Sequence, residues 1–589
     1  MSETTVLDFT PWVGRYRNGI NWQMPPPADA SLPAMIRTTT RRFARGKAFT
    51  CVMPNGMYGT LSFEEVDRMS DDFAVYLREA LKLDAGKRVA LQVPNSLVTP
   101  VAVFGILKAG CVLVNVNPLY TADEMKQQLV DSGAEALIIT DMFADKLAAI
   151  RAELPVRHVV LASLPSFFPS PVRQIVQCVL RWWQRVLPRH DIEATTIEEA
   201  VAEGARLRQT EGHAAQRYWE GLGHDDLAIL QYTGGTTGAP KGAMLSHGNL
   251  LWNIEQLKAM GSAKIIDGAE VVLTALPLYH IFAFTTNLLG FYSTGAHNIL
   301  VPNPRPIRNL QRAFDNYRIT WISGVNTLYN ALLNEEWFHA FPPRHLKASI
   351  GGGAPMNAAV IKRWENLTGS RLLEGYGLTE TAPLVSFQPI LGEPRTNTIG
   401  IPAPCTDVRL VDEQGRLVPQ GLPGELVVRG PQVMHGYWKL PGETAQVLRD
   451  GWFHTGDIAV MDADFNFRII DRKKDLILVS GFNVYPSEVE EVISSNEKVM
   501  EAAVVGVPCL HSGEEVVAYV VRRDPSLGIT ELDAHCRAHL TAYKVPARFL
   551  FVPALPKTSI GKVLRRELRA RASESPKMRK PPDAATAVA

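Results

Sequence analysis

The chain of 589 residues is short of cysteine, of net charge and of uninterrupted apolar sequence. Its six cysteines (Cys51, Cys111, Cys178, Cys405, Cys509 and Cys536) are scattered and form no CxxC pair. That argues against a disulfide framework or a zinc site and fits reduced thiols in a cytosolic compartment. A formal net charge of +1 gives no electrostatic footprint for a nucleic-acid partner. The opening residues, MSETTVLDFTPW, carry acidic groups early and no apolar stretch, so they do not read as a secretory signal. The most apolar region, Leu97 to Val116, is interrupted by Gly105, Lys108 and Gly110. A membrane span needs about 20 apolar residues. This region therefore reads as a buried helix passing through a glycine into a buried strand, and no span is expected.

What is present is ordinary globular sequence, 46% hydrophobic and 21% charged, long enough for at least two domains. Short β-type runs alternate with helical stretches: RVALQVPN, CVLVNVNP, ALIITD, HVVLAS, VVLTALP, NILVPNP and ITWISGVN. That alternation implies βαβ units and a largely parallel sheet. Past residue 400, VRLVDEQGRLVPQGLPGELVVRG has short strands with Gly and Pro turns and reads as an antiparallel β subdomain, about 400–470. A further unit begins near Asp471. It has a helix start at Pro486, strands AAVVGVP and VVAYVVRRD, and a helix from about Thr530. The expectation is an α/β chain. A large N-terminal domain, 1–470, holds two βα subdomains and the β subdomain; a small α+β domain follows at 471–570. The Pro/Ala/Lys-rich residues 571–589 are expected to be a disordered tail.

The segment 163–190, SLPSFFPSPVRQIVQCVLRWWQRVLPRH, stands apart. On a continuous helix Arg173, Arg181, Arg185 and Arg189 form one stripe, with Val176, Val179, Trp182, Trp183 and Val186 on the other side. A basic amphipathic helix with tryptophans can lie in a membrane interface, at the inner face of the cytoplasmic membrane for a cytoplasmic protein. An insertion that packs its apolar side on the domain explains the same pattern.

Residues Gln231 to Gly242, QYTGGTTGAPKG, follow an apolar run and precede a stretch read as helical. Glycines let backbone N–H groups approach phosphate oxygens, three threonines add hydroxyls, and Lys241 adds positive charge. The composition is that of a phosphate cradle. It is not a Walker A loop, because Pro240 and Gly242 stand where that pattern needs Gly and Ser/Thr. Gly351-Gly352-Gly353-Ala354-Pro355-Met356 is likewise no dinucleotide fingerprint, since Met356 replaces the last glycine.

YTGGTTGAPKGAMLSHGNL resembles the phosphate-binding signature of the adenylate-forming superfamily, which includes acyl-CoA synthetases, luciferases and peptide-synthetase adenylation domains. LPLYHIF, GGGAPM, LLEGYGLTETAP, GWFHTGDIA, IIDRKKDLILVSGFNVYPSEVE and LPKTSIGKVLRREL resemble its later motifs in order, so the likeness covers about residues 50 to 570. DGWFHTGDIAVMDADFNFRIIDRKKDLI is most similar to the signature of bacterial long-chain fatty-acid–CoA ligases, a branch of peripheral membrane enzymes. The resemblance implies ATP, Mg²⁺ and coenzyme A as reactants or cofactors, and a fatty acid as substrate. It places the β- and γ-phosphates on Thr233, Gly234, Gly235, Thr236, Thr237, Gly238 and Lys241, and Mg²⁺ on Glu380 with Thr236. Thr379 falls beside the α-phosphate. Gly353, Ala354 and Pro355 with Glu374, Gly375, Tyr376 and Gly377 form the adenine pocket, and Asp457 and Arg472 serve the ribose and phosphate. Lys562 enters the site during adenylation. A hinge at Asp471 lets the small domain rotate, presenting Gly481 to the pantetheine channel and Lys474 to coenzyme A phosphates.

Taken alone, some of these residues have plainer readings. Glu380 could be a helix N-terminal carboxylate, Asp457 a turn residue after Gly456, and Lys474 an exposed salt-bridging lysine. The acyl pocket is expected around His280, Phe282, Phe284, the Leu/Phe-rich helix that follows, and Val325, although apolar helices are normally core. Each buried CH₂ contributes about 0.8 kcal/mol, so an apolar tunnel selects for chain length. A medium-chain acid or a hydroxycinnamate would keep the ATP motifs and change only the pocket. A fatty acyl-AMP ligase would carry an insertion that is not seen between Gly400 and Asp471. A catalytically silent regulator would have lost Lys241, Glu380, Asp457 or Lys562, and all four are present. The quaternary state, a homodimer included, is open. On this reading Lys562→Ala abolishes pyrophosphate release from ATP and fatty acid, yet spares thioester formation from supplied acyl-AMP. Equal loss of both half-reactions would refute the assignment of Lys562 to the first.

Overall fold

The computed structural model describes residues 10–16, 20–233, 240–392, 395–509, 511–558 and 562–574. The chain divides into two compact units, one of residues 1–234, 240–407 and 428–453, the other of 235–239, 408–427 and 454–589. The fold is α/β, with a large N-terminal and a small C-terminal part, as the alternating β and helical runs predict.

Two sheets build the first unit. The eight-stranded sheet runs Gly436–Tyr437, Lys241–Ser246, Leu227–Thr233, Val112–Asn115, Arg88–Gln92, Ala136–Thr140, His158–Ala162 and Thr195–Thr196. The nine-stranded sheet runs Ile401–Pro402, Leu384–Phe387, Leu372–Gly377, Ala348–Gly351, Trp321–Gly324, Val271–Thr274, His297–Leu300, Lys47–Val52 and Tyr58–Ser62. Interior neighbours pair in parallel, and antiparallel pairs occur towards the ends of each sheet. Parallel strands are covered on both faces, which is why their sequences are apolar without alternation. All seven β-type runs of the sequence fall on these strands.

The apolar stretch is, as expected, a buried helix, Val98–Lys108, followed by Gly110 at φ 67° and the strand Val112–Asn115. Every residue of that helix is buried, Lys108 included. Its ammonium donates to Asp67 Oδ1 at 2.6 Å, Asp71 Oδ1 at 2.7 Å and Ser70 Oγ at 2.9 Å, and Arg37 reaches the same two carboxylates. A charge buried this deeply has to be paired. Among the described residues no helix is long and apolar enough to cross a membrane.

The segment 163–190 departs from a continuous helix. The α-helix Ser170–Cys178 passes into a π-helical turn, Val179–Trp183, and Arg185 adopts φ 53°. The wider turn interrupts the α-helical periodicity after Cys178. Val176 and Leu180 pack into the core, whereas Trp182 and Trp183 are 74% and 87% exposed. Arg173 lies 3.7 Å from Glu198. One side of the segment is packed, as the insertion reading expects, and the two tryptophans are left exposed.

The second unit holds most of a sheet in which Asp407–Val411, Gly424–Arg429, Trp452–Met461 and Phe467–Arg472 take part, the last two antiparallel. It also holds a five-stranded sheet ordered Phe482–Val484, Ile477–Val479, Gly513–Arg522 and Val499–Cys509, with Arg548–Phe551 parallel to Gly513–Arg522. Helices Pro486–Ser494 and Ile529–His539 lie where the sequence places them. The helix Arg565–Glu574 continues past residue 570 because Leu568 and Ala572 are buried against Val505 and Val517 in one cluster. The rest of the proposed tail, 575–589, lies outside the described residues.

Candidate active site

In the first unit the site residues collect at the C-terminal ends of neighbouring parallel strands. Ala348–Gly351 pairs with Leu372–Gly377 in the register Ser349–Leu372, Ile350–Leu373 and Gly351–Glu374. The chain leaves these two strands side by side, bringing Gly353-Ala354-Pro355 beside Gly375-Tyr376-Gly377. Ligands bind in such crevices in α/β sheets. Gly353 has φ 77°, a left-handed conformation that glycine adopts without strain. A Cβ on Gly352 would lie 3.1 Å from the Gly375 carbonyl and 3.4 Å from the Phe282 ring.

Glu374 ties the two segments together. It is buried, and its Oε1 accepts the Met356 N–H at 3.2 Å. Burial pushes its carboxyl up to about 8, against the opposing pull of that N–H. Gly377 allows the hairpin to close, since a Cβ there would sit 1.7 Å from the Pro383 carbonyl. Thr379 and Glu380 follow in a three-residue 3₁₀ turn, Thr379–Thr381. That turn is too short for the helix-terminus reading of Glu380. Its Oε1 instead accepts the Tyr437 hydroxyl at 2.7 Å, and its backbone carbonyl accepts the Met434 N–H at 2.8 Å.

The glycine- and threonine-rich loop corrects one expectation. It is not followed by a helix: Thr233 and Lys241 face each other across an antiparallel pair, Leu227–Thr233 with Lys241–Ser246, and the helix begins only at His247. The run Lys241–Ser246 is short and mostly buried, which favours a strand extending the sheet. Gly234, Gly235, Thr236, Thr237 and Gly238 lie outside the described residues. Lys241 forms an ion pair with Glu443, and its Nζ lies 5.2 Å from the centroid of the Tyr437 ring.

Of the residues expected around an acyl chain, Phe282 and Val325 gather at Gly352 and Gly353, where Val325 Cγ1 is 3.6 Å from the position of a Gly353 Cβ. His280 caps the turn Ile281–Ala283, its Nδ1 accepting the Phe282 N–H at 3.3 Å. Phe284 is fully buried in the main core cluster. A separate apolar pocket is lined by Leu257, Met260, Thr286, Phe291, Trp321 and Phe387, among others. Thr286 and Phe291 come from the helical turn Phe284–Phe291, whereas His280, Phe282, Phe284 and Val325 do not line this pocket. Phe387 also lies 3.0 Å from where a Gly375 Cβ would be, so one ring borders both the pocket and the strand Leu372–Gly377.

The remaining residues belong to the second unit. Asp457 is not a turn residue: it is buried within the strand Trp452–Met461, directly after Gly456 at φ 69°. Its Oδ1 lies 2.6 Å from Arg472 Nε, its cross-strand partner. Asp471 is buried, its two oxygens accepting the Arg472 N–H and the Ser487 N–H at 2.8 Å each. Lys474 is exposed in the turn Lys473–Asp475, whose Lys473 pairs with Glu425 at 2.9 Å. Gly481, at φ 83°, and Ser480, at φ 51°, form the two-residue turn of the hairpin Ile477–Val479 and Phe482–Val484. Positive φ at both positions is the type I′ pattern. Lys562 is exposed, and its backbone N–H donates to Thr558 Oγ1 at 3.1 Å.

Among the described residues no cluster of three His, Cys, Asp or Glu side chains could hold a metal by itself. Glu380 supplies one hard oxygen donor in a half-buried place. That fits Mg²⁺, which is commonly held by one or two carboxylates together with substrate phosphates and water. Tyr437 and Glu443, which touch Glu380 and Lys241, were not found from sequence; nothing in Gly436-Tyr437-Trp438 or Pro441-Gly442-Glu443 announces a partner 57 or 202 residues away.

The family described as AMP-binding enzyme matches residues 37–438, and the AMP-binding enzyme C-terminal domain matches 488–562. A long-chain-fatty-acid--CoA ligase of Escherichia coli O6:H1 is 46% identical over 559 residues, 95% of this chain and 97% of the relative. A feruloyl-CoA synthase of Amycolatopsis is 35% identical over 87% of this chain and 94% of its own. Among solved structures, ATP-bound MatB from Rhodopseudomonas palustris superposes with a TM-score of 0.79 at 28% identity, covering 93% of this chain and 99% of that one.

The raised Glu374 carboxyl makes a pH prediction. Between about 4.5 and about 8 the folded chain keeps a proton that the unfolded chain releases, so this group's contribution to stability falls as pH rises through that window. Glu374→Gln removes the term. Relative to the wild type it should gain stability with increasing pH, by at most about 1.4 kcal/mol per pH unit. Thermal melts from pH 5 to 8.5 check this, and a difference independent of pH would mean that Glu374 is ionised throughout.

Proposed function

The chain belongs to the AMP-binding enzyme family, and on that premise we propose the roles of its residues in a long-chain fatty-acid–CoA ligase. The enzyme is an AMP-forming acid–CoA ligase. It uses ATP, coenzyme A and a fatty acid. The observation that carries the substrate class is the 46% identity, over 95% of the chain, to a relative named for long-chain fatty acids.

A carboxylate is a poor acyl donor because oxide is a bad leaving group. In the first half-reaction a fatty-acid oxygen attacks the α-phosphorus of ATP, the bond to the bridging oxygen of pyrophosphate breaks, and acyl-AMP forms. A fatty acid titrates near 4.3, like a glutamate side chain, and is already ionised at neutral pH, so no general base is needed. The obstacle is the approach of two anions. Positioning and cationic groups answer it. Residues 233–238 and Lys241 hold the β- and γ-phosphates, and Thr379 lies by the α-phosphate. Gly353-Ala354-Pro355 and Glu374 to Gly377 take the adenine, with Tyr376 stacked on it. Asp457 binds the ribose hydroxyls through its two oxygens, with Arg472 close by. Glu380 and Thr236 hold Mg²⁺, which when bound neutralises phosphate charge. Lys562 acts in this step.

In the second half-reaction the thiol sulfur of coenzyme A attacks the acyl carbonyl, AMP leaves with the electron pair of the broken C–O bond, and the thiol proton passes to solvent. We assign the hinge to Asp471 and the exchange of active residues to movement of the domain from 471 to 570. Gly481 then faces pantetheine and Lys474 the coenzyme A phosphates. The apolar pocket beside Phe387, with His280, Phe282, Phe284 and Val325, serves the acyl chain. Turnover across acids from acetate to oleate plus a hydroxycinnamate, with AMP release measured, tests the function. The expected result is a maximum at long chains. A maximum at the hydroxycinnamate would move this chain towards the feruloyl-CoA synthase relative, and no turnover with any acid would point to a regulator or an acyl carrier.

A peripheral contact with the inner face of the cytoplasmic membrane is supported by Trp182 and Trp183, 74% and 87% exposed beside exposed Arg181 and Arg185. Aromatic rings next to arginines suit an anionic lipid interface. Replacing Trp182, Trp183, Arg181 and Arg185 together is expected to abolish co-flotation with anionic liposomes. Undiminished flotation of that variant would dismiss the contact.

A further inference from the structure

Between the carboxylate and the ammonium proposed for the Mg-triphosphate stands a residue that no motif picks out. Tyr437 is 7% exposed. Its hydroxyl donates to Glu380 Oε1 at 2.7 Å, and the face of its ring lies 5.2 Å from Lys241 Nζ. A phenol has one donor hydrogen, so it engages one carboxylate oxygen and leaves the other for a cation. The ring face is the negative end of its quadrupole and attracts an ammonium. One side chain therefore touches both groups, and Glu443 also pairs with Lys241.

The backbone around Tyr437 is held as firmly as its side chain. Gly436 and Tyr437 pair with Met244 and Ala243, on the strand that begins at Lys241. Trp438 N–H donates to the Gly242 carbonyl at 2.8 Å, and Met434 N–H to the Glu380 carbonyl at 2.8 Å. Tyr437 N–H donates to Thr444 Oγ1 at 2.9 Å, and this close approach needs glycine at 436, where a Cβ would lie 2.7 Å from Thr444 Cγ2. A short strap thus bridges the Lys241 strand and the Glu380 turn, with Tyr437 at its centre.

We propose that Tyr437 is a positioning residue for adenylation, aiming Glu380 at the metal and holding Lys241 for the phosphates. The proposal rests on the reading of Glu380 as the metal-binding carboxylate. It is tested by calorimetry of α,β-methylene-ATP binding at stepped Mg²⁺, without fatty acid, so that no turnover occurs. Tyr437→Phe keeps the ring and removes the donor. The Mg²⁺ concentration for half-maximal binding should rise roughly tenfold, as for one lost hydrogen bond to a charged group, with affinity at saturating Mg²⁺ preserved. Tyr437→Leu removes the ring as well and should also weaken binding at saturating Mg²⁺. Glu380→Gln should raise the Mg²⁺ requirement at least as far as Tyr437→Phe. A shift in Glu380→Gln without one in Tyr437→Phe overturns the role of Tyr437 alone. No shift in either overturns the metal reading and the proposal with it. Melting temperatures without Mg²⁺ separate a structural role: a lower melting temperature in Tyr437→Phe with an unchanged Mg²⁺ requirement also overturns the proposal.

Discussion

The register that sets Gly351 beside Glu374 fixes how the loops after the strands Ala348–Gly351 and Leu372–Gly377 lie together. Both strands run in the same direction inside a sheet, so both release their chains at the same edge, and the two loops that follow are neighbours by construction. Backbone has to pass close to backbone there, and glycine is the residue that permits it. Gly352 faces the Gly375 carbonyl, and Gly377 faces that of Pro383 at distances no Cβ would tolerate without movement. The Glu374 carboxyl then fastens one loop to the other strand through the Met356 N–H. Burial favours its neutral form, against the pull of that N–H.

Charge is handled by pairing. The reaction brings two anions together, so cations are needed, yet cations without partners are costly to hold in place. Lys241 is paired with Glu443, and Arg472 with the buried Asp457. Glu380 accepts a hydrogen bond from the Tyr437 hydroxyl. Each of these groups thus has a partner within its own unit. The buried Lys108 follows the same rule, paired with Asp67 and Asp71.

Much of this was legible in the chain. The seven β-type runs are strands because apolar residues without alternation suit a sheet covered on both faces. The stretch from Leu97 to Val116 is a buried helix and strand because its glycines and Lys108 interrupt it too often for a span. Residues clustered in motifs, such as Gly353-Ala354-Pro355 and Glu374 to Gly377, could be named because their neighbours in sequence are their neighbours in the site. One reading failed where local pattern met a tertiary demand: the run after Lys241 becomes a strand because it extends the eight-stranded sheet.

Composition and motif order therefore determined the class of the fold, the family and the kind of chemistry, since these depend on residue types at short spacing. Only the tertiary structure decided which groups hold the functional charges. Tyr437 and Glu443 reach Glu380 and Lys241 across 57 and 202 residues, and Asp457 meets Arg472 only because two strands pair in one register. The physical reason is the range of the forces involved: periodicity and turn chemistry act between near neighbours in the chain. A hydrogen bond or an ion pair acts over about 3 Å of space and takes no account of separation along the sequence.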